Sequence, residues 1–128
     1  YTVGGVKEIT GYKNYVSVDG GMTDNPRYAL YEAPYTVMLA SRADAPANYT
    51  ASVVGRCCES GDVIQPNVCL PRPERGDVLA VLTTGAYNYS MASNYNRIPR
   101  PPVVMLDESG PYIAVRRETY EDLMKYEG

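Results

Sequence analysis

Over most of this chain, glycine or proline interrupts the sequence every few residues. Eleven glycines and ten prolines are spread over 128 residues, and these are the two residues that most strongly punctuate helices and strands. That punctuation points to short strands joined by turns. Residues 14–19 (Asn-Tyr-Val-Ser-Val-Asp) alternate, with Val16 and Val18 on one face, and Gly20-Gly21 closes the run. A half-buried strand has that period of two. Further strands are predicted over 35–40, 50–55, 62–65, 78–82, 102–106 and 111–116, with Asp107-Glu108-Ser109-Gly110 as the turn between the last two. The stretch 66–76 holds three prolines and reads as a loop, as does 96–102. Two short helices are predicted. One starts at Asn25-Pro26, with Asn as cap and Pro at the first position, and ends before Pro34. The other follows Thr119, whose hydroxyl can cap and which has Asp122 three residues on. The expected fold is mainly β, a barrel or sandwich filling one domain over residues 1–128.

Composition narrows the function classes. The formal net charge is -3, and nucleic-acid binding calls for a basic face instead. No apolar run approaches the length of a membrane span. Histidine is absent, which removes imidazole acid–base chemistry and nearly all zinc enzymes. The aromatic residues are 13 tyrosines without Phe or Trp, so tyrosine is expected to serve both the core and any polar site. Cys57, Cys58 and Cys69 are odd in number and two are adjacent. That is a poor disulfide framework, and it points to a reducing, cytoplasmic setting. The chain opens at Tyr1 without an initiator Met or a signal peptide, as a portion of a longer polypeptide does.

Chemistry concentrates in three segments. In Gly20–Tyr31, a helix would place Arg27 and Tyr31 four residues apart on one face. A guanidinium beside a phenol suits a carboxylate ligand, although a solvated Arg and a packed Tyr have the same spacing. In Gly55–Asp62, Cys58 stands next to Glu59. A carboxylate disfavours a nearby thiolate, so such a thiol suits proton donation better than nucleophilic attack; two inert, half-buried thiols are the plainer alternative. In Thr83–Asn96, hydroxyls and amides cluster beside a small-residue turn. They can bind a phosphate, line a polar pocket or simply brace a loop.

Taken in order, "YVSVDGGMTDNPRYALY" (15–31), "VVGRCCESGDVI" (53–64), "GDVLAVLTTGAYNYSMASNYNRIPRPPVV" (76–104) and "RRETYEDLM" (116–124) closely resemble the C-terminal part of the diaminopimelate decarboxylase family, among the fold-type III decarboxylases that use pyridoxal phosphate. The "CCESGD" piece separates that family from its ornithine and arginine decarboxylase relatives. The resemblance implies a Greek-key-like β-barrel or sandwich with two short helices, to which the full enzyme adds an N-terminal TIM barrel. It also implies a homodimer with active sites at the interface, turning meso-diaminopimelate into lysine and carbon dioxide. Arg27 and Tyr31 resemble the pair that grips the distal carboxylate of the substrate, and Glu59 the residue that binds its distal ammonium. Cys58 resembles the proton donor offered across the dimer interface, and Tyr87 the tyrosine that approaches cofactor and substrate. The Schiff-base lysine for pyridoxal phosphate belongs to the barrel, since Lys7, Lys13 and Lys125 match no such motif. No metal ligands are implied. A non-catalytic binding domain that kept the decarboxylase surface stays open as the alternative.

Overall fold

The alternating stretch forms β2 (Lys13–Val18), which buries Val16 and Val18 on one face. The computed structural model describes residues 1–128. Ahead of β2 lies β1 (Val3–Ile9), paired antiparallel with it across a turn in which Gly11 takes a φ of +74°. The sequence hides β1: only Val3 is buried on it, Gly4-Gly5 breaks its pattern, and the register slips between Val3 and Gly5. Such a bulge leaves Gly4 without a register partner and breaks the hydrophobic alternation while the rest of the strand stays paired.

Three further elements complete the crossover from β2. They are α1 (Arg27–Tyr31), β3 (Val37–Leu39) and a 3-10 turn over Ala40–Arg42. The crossover lets β4 (Tyr49–Val54) run parallel to β2, with Val16 opposite Val53. β5 (Val63–Leu70) returns antiparallel, giving a four-stranded sheet in the order β1-β2-β4-β5. β5 continues through Pro66, where sequence predicted a loop. The register slips opposite Pro66-Asn67, and Asn67 has a φ of 53°. Proline lacks an N–H, and a bulge is where a strand can do without one.

β6 (Leu79–Val81) pairs with β3 as a second, two-stranded sheet. The core lies among Val3, Val16, Val18, Val37, Leu39, Ala51, Val53, Ile64, Leu70 and Leu79, drawn from both sheets. It is wholly aliphatic. No tyrosine is fully buried; Tyr1 and Tyr49 pack against the rim of the core. A phenol hydroxyl favours such a rim position, although the Tyr49 hydroxyl is itself enclosed without a hydrogen-bond partner.

α2 (Asn88–Met91), unanticipated by periodicity, is a single turn. β7 (Val103–Asp107) and β8 (Gly110–Val115) form the expected hairpin, in which Asp107 Oδ1 accepts the Ser109 N–H at 2.8 Å. α3 (Tyr120–Met124) starts at the predicted Thr119 cap. The fold is mainly β, as expected. Its helices number three instead of two, and its sheets stay separate instead of closing into a barrel. No helix is long and apolar enough to cross a membrane.

Candidate functional site

The loop after β2 is held tightly enough to need its glycines. A Cβ on Gly20 would lie 2.0 Å from the Tyr1 ring, and one on Gly21 would lie 2.6 Å from the Asp62 carboxylate. Backbone bonds from Asp24 and Asn25 to the Gly21 carbonyl, each 2.9 Å, turn the chain into α1. Asn25 is 2% exposed, and its Oδ1 accepts the Arg27 N–H at 3.4 Å. The cap position is Pro26, with no side-chain cap bond, so the helix starts one residue later than predicted; Asn25 braces the turn before it instead of capping. Burial raises the Asp24 carboxyl above its ordinary range. The helix stops at Glu32, whose φ is 54°.

This short helix gives Arg27 and Tyr31 their shared side. The Arg27 guanidinium lies over the Tyr87 ring, 5.3 Å from its centre, within cation–π range. Arg27 has no carboxylate partner in the chain, although five other arginines do. Tyr31 and Tyr87 are 65% and 61% exposed. Two of the three chemical segments thus meet, and their common surface is open.

The Cys-rich loop joins β4 to β5. Its organiser is Asp62, a residue that the sequence does not single out, 3% exposed. One carboxylate oxygen accepts the Met22 N–H at 2.6 Å and the other the Cys57 N–H at 2.7 Å. The Gly55 N–H donates to the Asp62 carbonyl at 2.9 Å, and the Arg56 N–H to the Gly20 carbonyl at 3.1 Å. Cys58 and Glu59 project exposed from the tip. Glu59 Oε1 accepts the Gly61 N–H at 3.0 Å, bracing the turn. A carboxylate acts on a thiol in this loop at Cys57, through Asp62. Burial first, and Asp62 second, push the Cys57 thiol up to about 11. Asp62 faces Cys57 because it points into the loop, whereas Glu59 points outward and binds its own turn. No hydrogen bond, ion pair or ring contact links Cys58 or Glu59 to Arg27, Tyr31 or Tyr87 within the chain. Cys58 instead borders an open depression with Arg56, Arg97, Pro99 and Tyr120.

The third segment packs on the first through the Ser93 N–H, which donates to the Thr23 carbonyl at 2.9 Å. Tyr35 donates its hydroxyl to Asn88 Oδ1 at 3.2 Å. Beside them Thr84, Gly85, Asn88 and Tyr89 line a cleft of about 300 Å³ with Tyr1, Asp24 and Pro101. The small-residue turn and hydroxyls of this cleft, with the exposed Tyr87 ring three residues along the chain from Thr84 but outside the cleft lining, fit one side of a flat, phosphate-bearing cofactor. No lysine borders this cleft: Lys7 and Lys13 lie on the β1–β2 hairpin and Lys125 follows α3. The chain's residues suit non-covalent contact with such a group.

Residues 1–85 match the family model described as pyridoxal-dependent decarboxylase, C-terminal sheet domain. The chain is 53% identical to the diaminopimelate decarboxylase of Bacillus subtilis over 125 residues, covering 98% of this chain and 28% of that protein. Identity to the diaminopimelate decarboxylase of Halalkalibacterium halodurans is 51% over 125 residues, again 98% of this chain and 28% of that protein. Among solved structures, the diaminopimelate decarboxylase of M. jannaschii in complex with L-lysine superposes with a TM-score of 0.91 at 37% identity, over 99% of this chain and 29% of that one. The chain therefore spans less than a third of the length of these relatives. With sequence and fold agreeing across its whole extent, it belongs to the pyridoxal-dependent decarboxylase family, as a C-terminal sheet domain of the kind found in diaminopimelate decarboxylases.

Proposed function

We propose that this chain supplies the substrate-recognition and proton-donating part of a diaminopimelate decarboxylase that converts meso-diaminopimelate to L-lysine. The observation that carries the reading is Arg27, free of any carboxylate in the chain and seated on the exposed Tyr87 ring. That pairing sets a carboxylate-binding fork beside an aromatic face suited to the cofactor. Arg27 and Tyr31 hold the distal carboxylate of the substrate, and Glu59 its distal ammonium. Tyr87, with the Thr84-Gly85 turn, contacts pyridoxal phosphate, whose lysine comes from a barrel domain of the same polypeptide. When bound, the cofactor draws off the electrons left when carbon dioxide departs.

The residues of this chain then do two things. Arg27, Tyr31 and Glu59 fix the far end of the substrate, so that only one of its two similar ends lies at the reacting position. Cys58 Sγ delivers a proton to the carbon that has lost its carboxylate. Cys58 and Glu59 make no contact with Arg27 or Tyr87 in their own chain, which supports a homodimer where the Cys58 loop of one subunit completes the site of the other; the chain's three free cysteines suit a cytoplasmic setting. The test is Cys58→Ala in the full-length, barrel-bearing polypeptide. Turnover should fall by roughly 10²–10⁴, the usual share of a positioned general acid, while lysine still binds. Turnover at the original rate would remove Cys58 from the chemistry.

A further inference from the structure

Asp62 occupies an unusual place. Its carboxylate is 3% exposed, and it accepts backbone N–H groups from two loops at once: Met22, at 2.6 Å, in the loop that leads into α1, and Cys57, at 2.7 Å, in the Cys-rich loop. Both loops carry a glycine where a side chain would strike this carboxylate. A Cβ on Gly21 would come within 2.6 Å of both oxygens, and one on Gly55 within 2.2 Å and 2.3 Å. The atoms struck belong to the Asp62 carboxylate itself, which could swing aside only by giving up its bonds to the Met22 and Cys57 N–H groups, so the glycines and the carboxylate form one fitted unit.

We infer that Asp62 is a positioning residue, which fixes the Cys58-Glu59 tip relative to the Arg27-Tyr31 helix. This rests on the functional reading given above for those four residues. The two loops are not held equally. The Gly20–Asn25 loop has its own turn bonds to the Gly21 carbonyl and a bond from Ser93 to Thr23. The Cys57–Glu59 stretch is tied to the rest of the domain chiefly through Asp62, by its carboxylate and by its N–H to the Glu59 carbonyl at 3.1 Å; the Arg56 bond to Gly20 lies beside it, and the bonds of Gly61 and Ser60 to Glu59 Oε1 are internal to the turn. Weakening the pin therefore loosens the Cys58 side and leaves the Arg27 side in place. Proton delivery suffers, whereas recognition of the distal carboxylate survives.

Asp62→Asn in the full-length polypeptide keeps the shape of the side chain. It replaces one acceptor oxygen by a donor that faces an N–H. Hydrogen exchange across residues 55–60 should accelerate at least tenfold, with residues 27–31 unchanged. Turnover per folded site should drop tenfold or more. The ratio of lysine to cadaverine affinity should stay within about twofold, because these two ligands differ only in the carboxylate assigned to Arg27. Gly55→Ala, which displaces the carboxylate from the other side, should reproduce the pattern. Unchanged exchange, or accelerated exchange with full turnover per folded site, would overturn the proposal. So would loss of folding in both variants, which would assign Asp62 to the fold alone. Cys58→Ala measured in parallel keeps the two readings apart. If that variant turns over normally, the role given to Cys58 has failed, while the exchange result still reports on the pin.

Discussion

Arg27 spends its guanidinium face on the Tyr87 ring, which leaves the N–H edge free for a ligand. A bidentate carboxylate contact there is worth about 1.5–3 kcal/mol as a charge-assisted bond. Arg27→Ala should therefore weaken lysine binding roughly ten- to a hundredfold and leave cadaverine, the same diamine without a carboxylate, nearly unaffected. Titration calorimetry with both ligands reads this directly, and equal losses for the two would contradict the assignment. Arg27→Lys should recover only part of the affinity, because an ammonium neither forks nor stacks. The neighbouring chemistry of Cys57 is testable without any substrate. Its thiol is pushed from 9.0 to about 11, first by burial and then by Asp62. The sign is that of a suppressed thiolate, so at pH 8 alkylation should be roughly a hundredfold slower than at an ordinary thiol. Iodoacetamide labelling in a background with Cys58→Ala and Cys69→Ser checks this. Labelling at an ordinary rate would show that Cys57 is less enclosed than the structure has it.

At the scale of elements, the predictions that succeed are those with local causes. The Thr119 cap forms as the sequence implies, with the Asp122 N–H donating to Thr119 Oγ1 at 3.3 Å and the Thr119 N–H donating back to Asp122 Oδ2 at 2.8 Å. The β7–β8 hairpin follows from its turn residues. β1 escapes because its pairing partner, and not its own pattern, makes it a strand. The meeting of Arg27 with Tyr87, and of Asp62 with Met22, depends on the parallel crossover between β2 and β4, which no spacing along the chain reveals. A carboxylate buried between two glycines was legible only as composition. The last turn of the domain offers a further test. Glu118 accepts Arg100 Nε at 2.7 Å, the Arg100 N–H at 2.8 Å and Asn94 Nδ2 at 2.6 Å. The Arg100 guanidinium is the main cause holding its carboxyl down to about 2 from an ordinary 4.5. A depressed carboxyl contributes stability that is present above its unfolded value and lost on acidification through its folded one. Glu118→Gln should thus cost about 1–3 kcal/mol near neutral pH. The gap to the parent should close between pH 4.5 and 2. Urea unfolding across that range measures it, and a gap independent of pH would place the stabilisation elsewhere.

For the whole molecule, the decisive question is which chain completes which site. Within one chain Arg27 and Tyr87 meet, while Cys58 borders a separate depression with Arg97 and Tyr120. If the proton donor crosses a two-fold interface, each site draws on both subunits, and the symmetry makes the arrangement countable. Two inactive full-length variants suffice, one without the barrel lysine and one carrying Cys58→Ala. After subunit exchange, random pairing makes about half of the dimers mixed. In a mixed dimer, the site on the Cys58→Ala subunit keeps its lysine and receives Cys58 from its neighbour, and the other site has neither. About a quarter of all sites should then be intact, and activity should rise to about that fraction of the parent level. A donor acting within its own subunit leaves no intact site in any mixed dimer. Activity that stays at the level of the separate variants, with exchange verified by mass tagging, would therefore return Cys58 to its own chain.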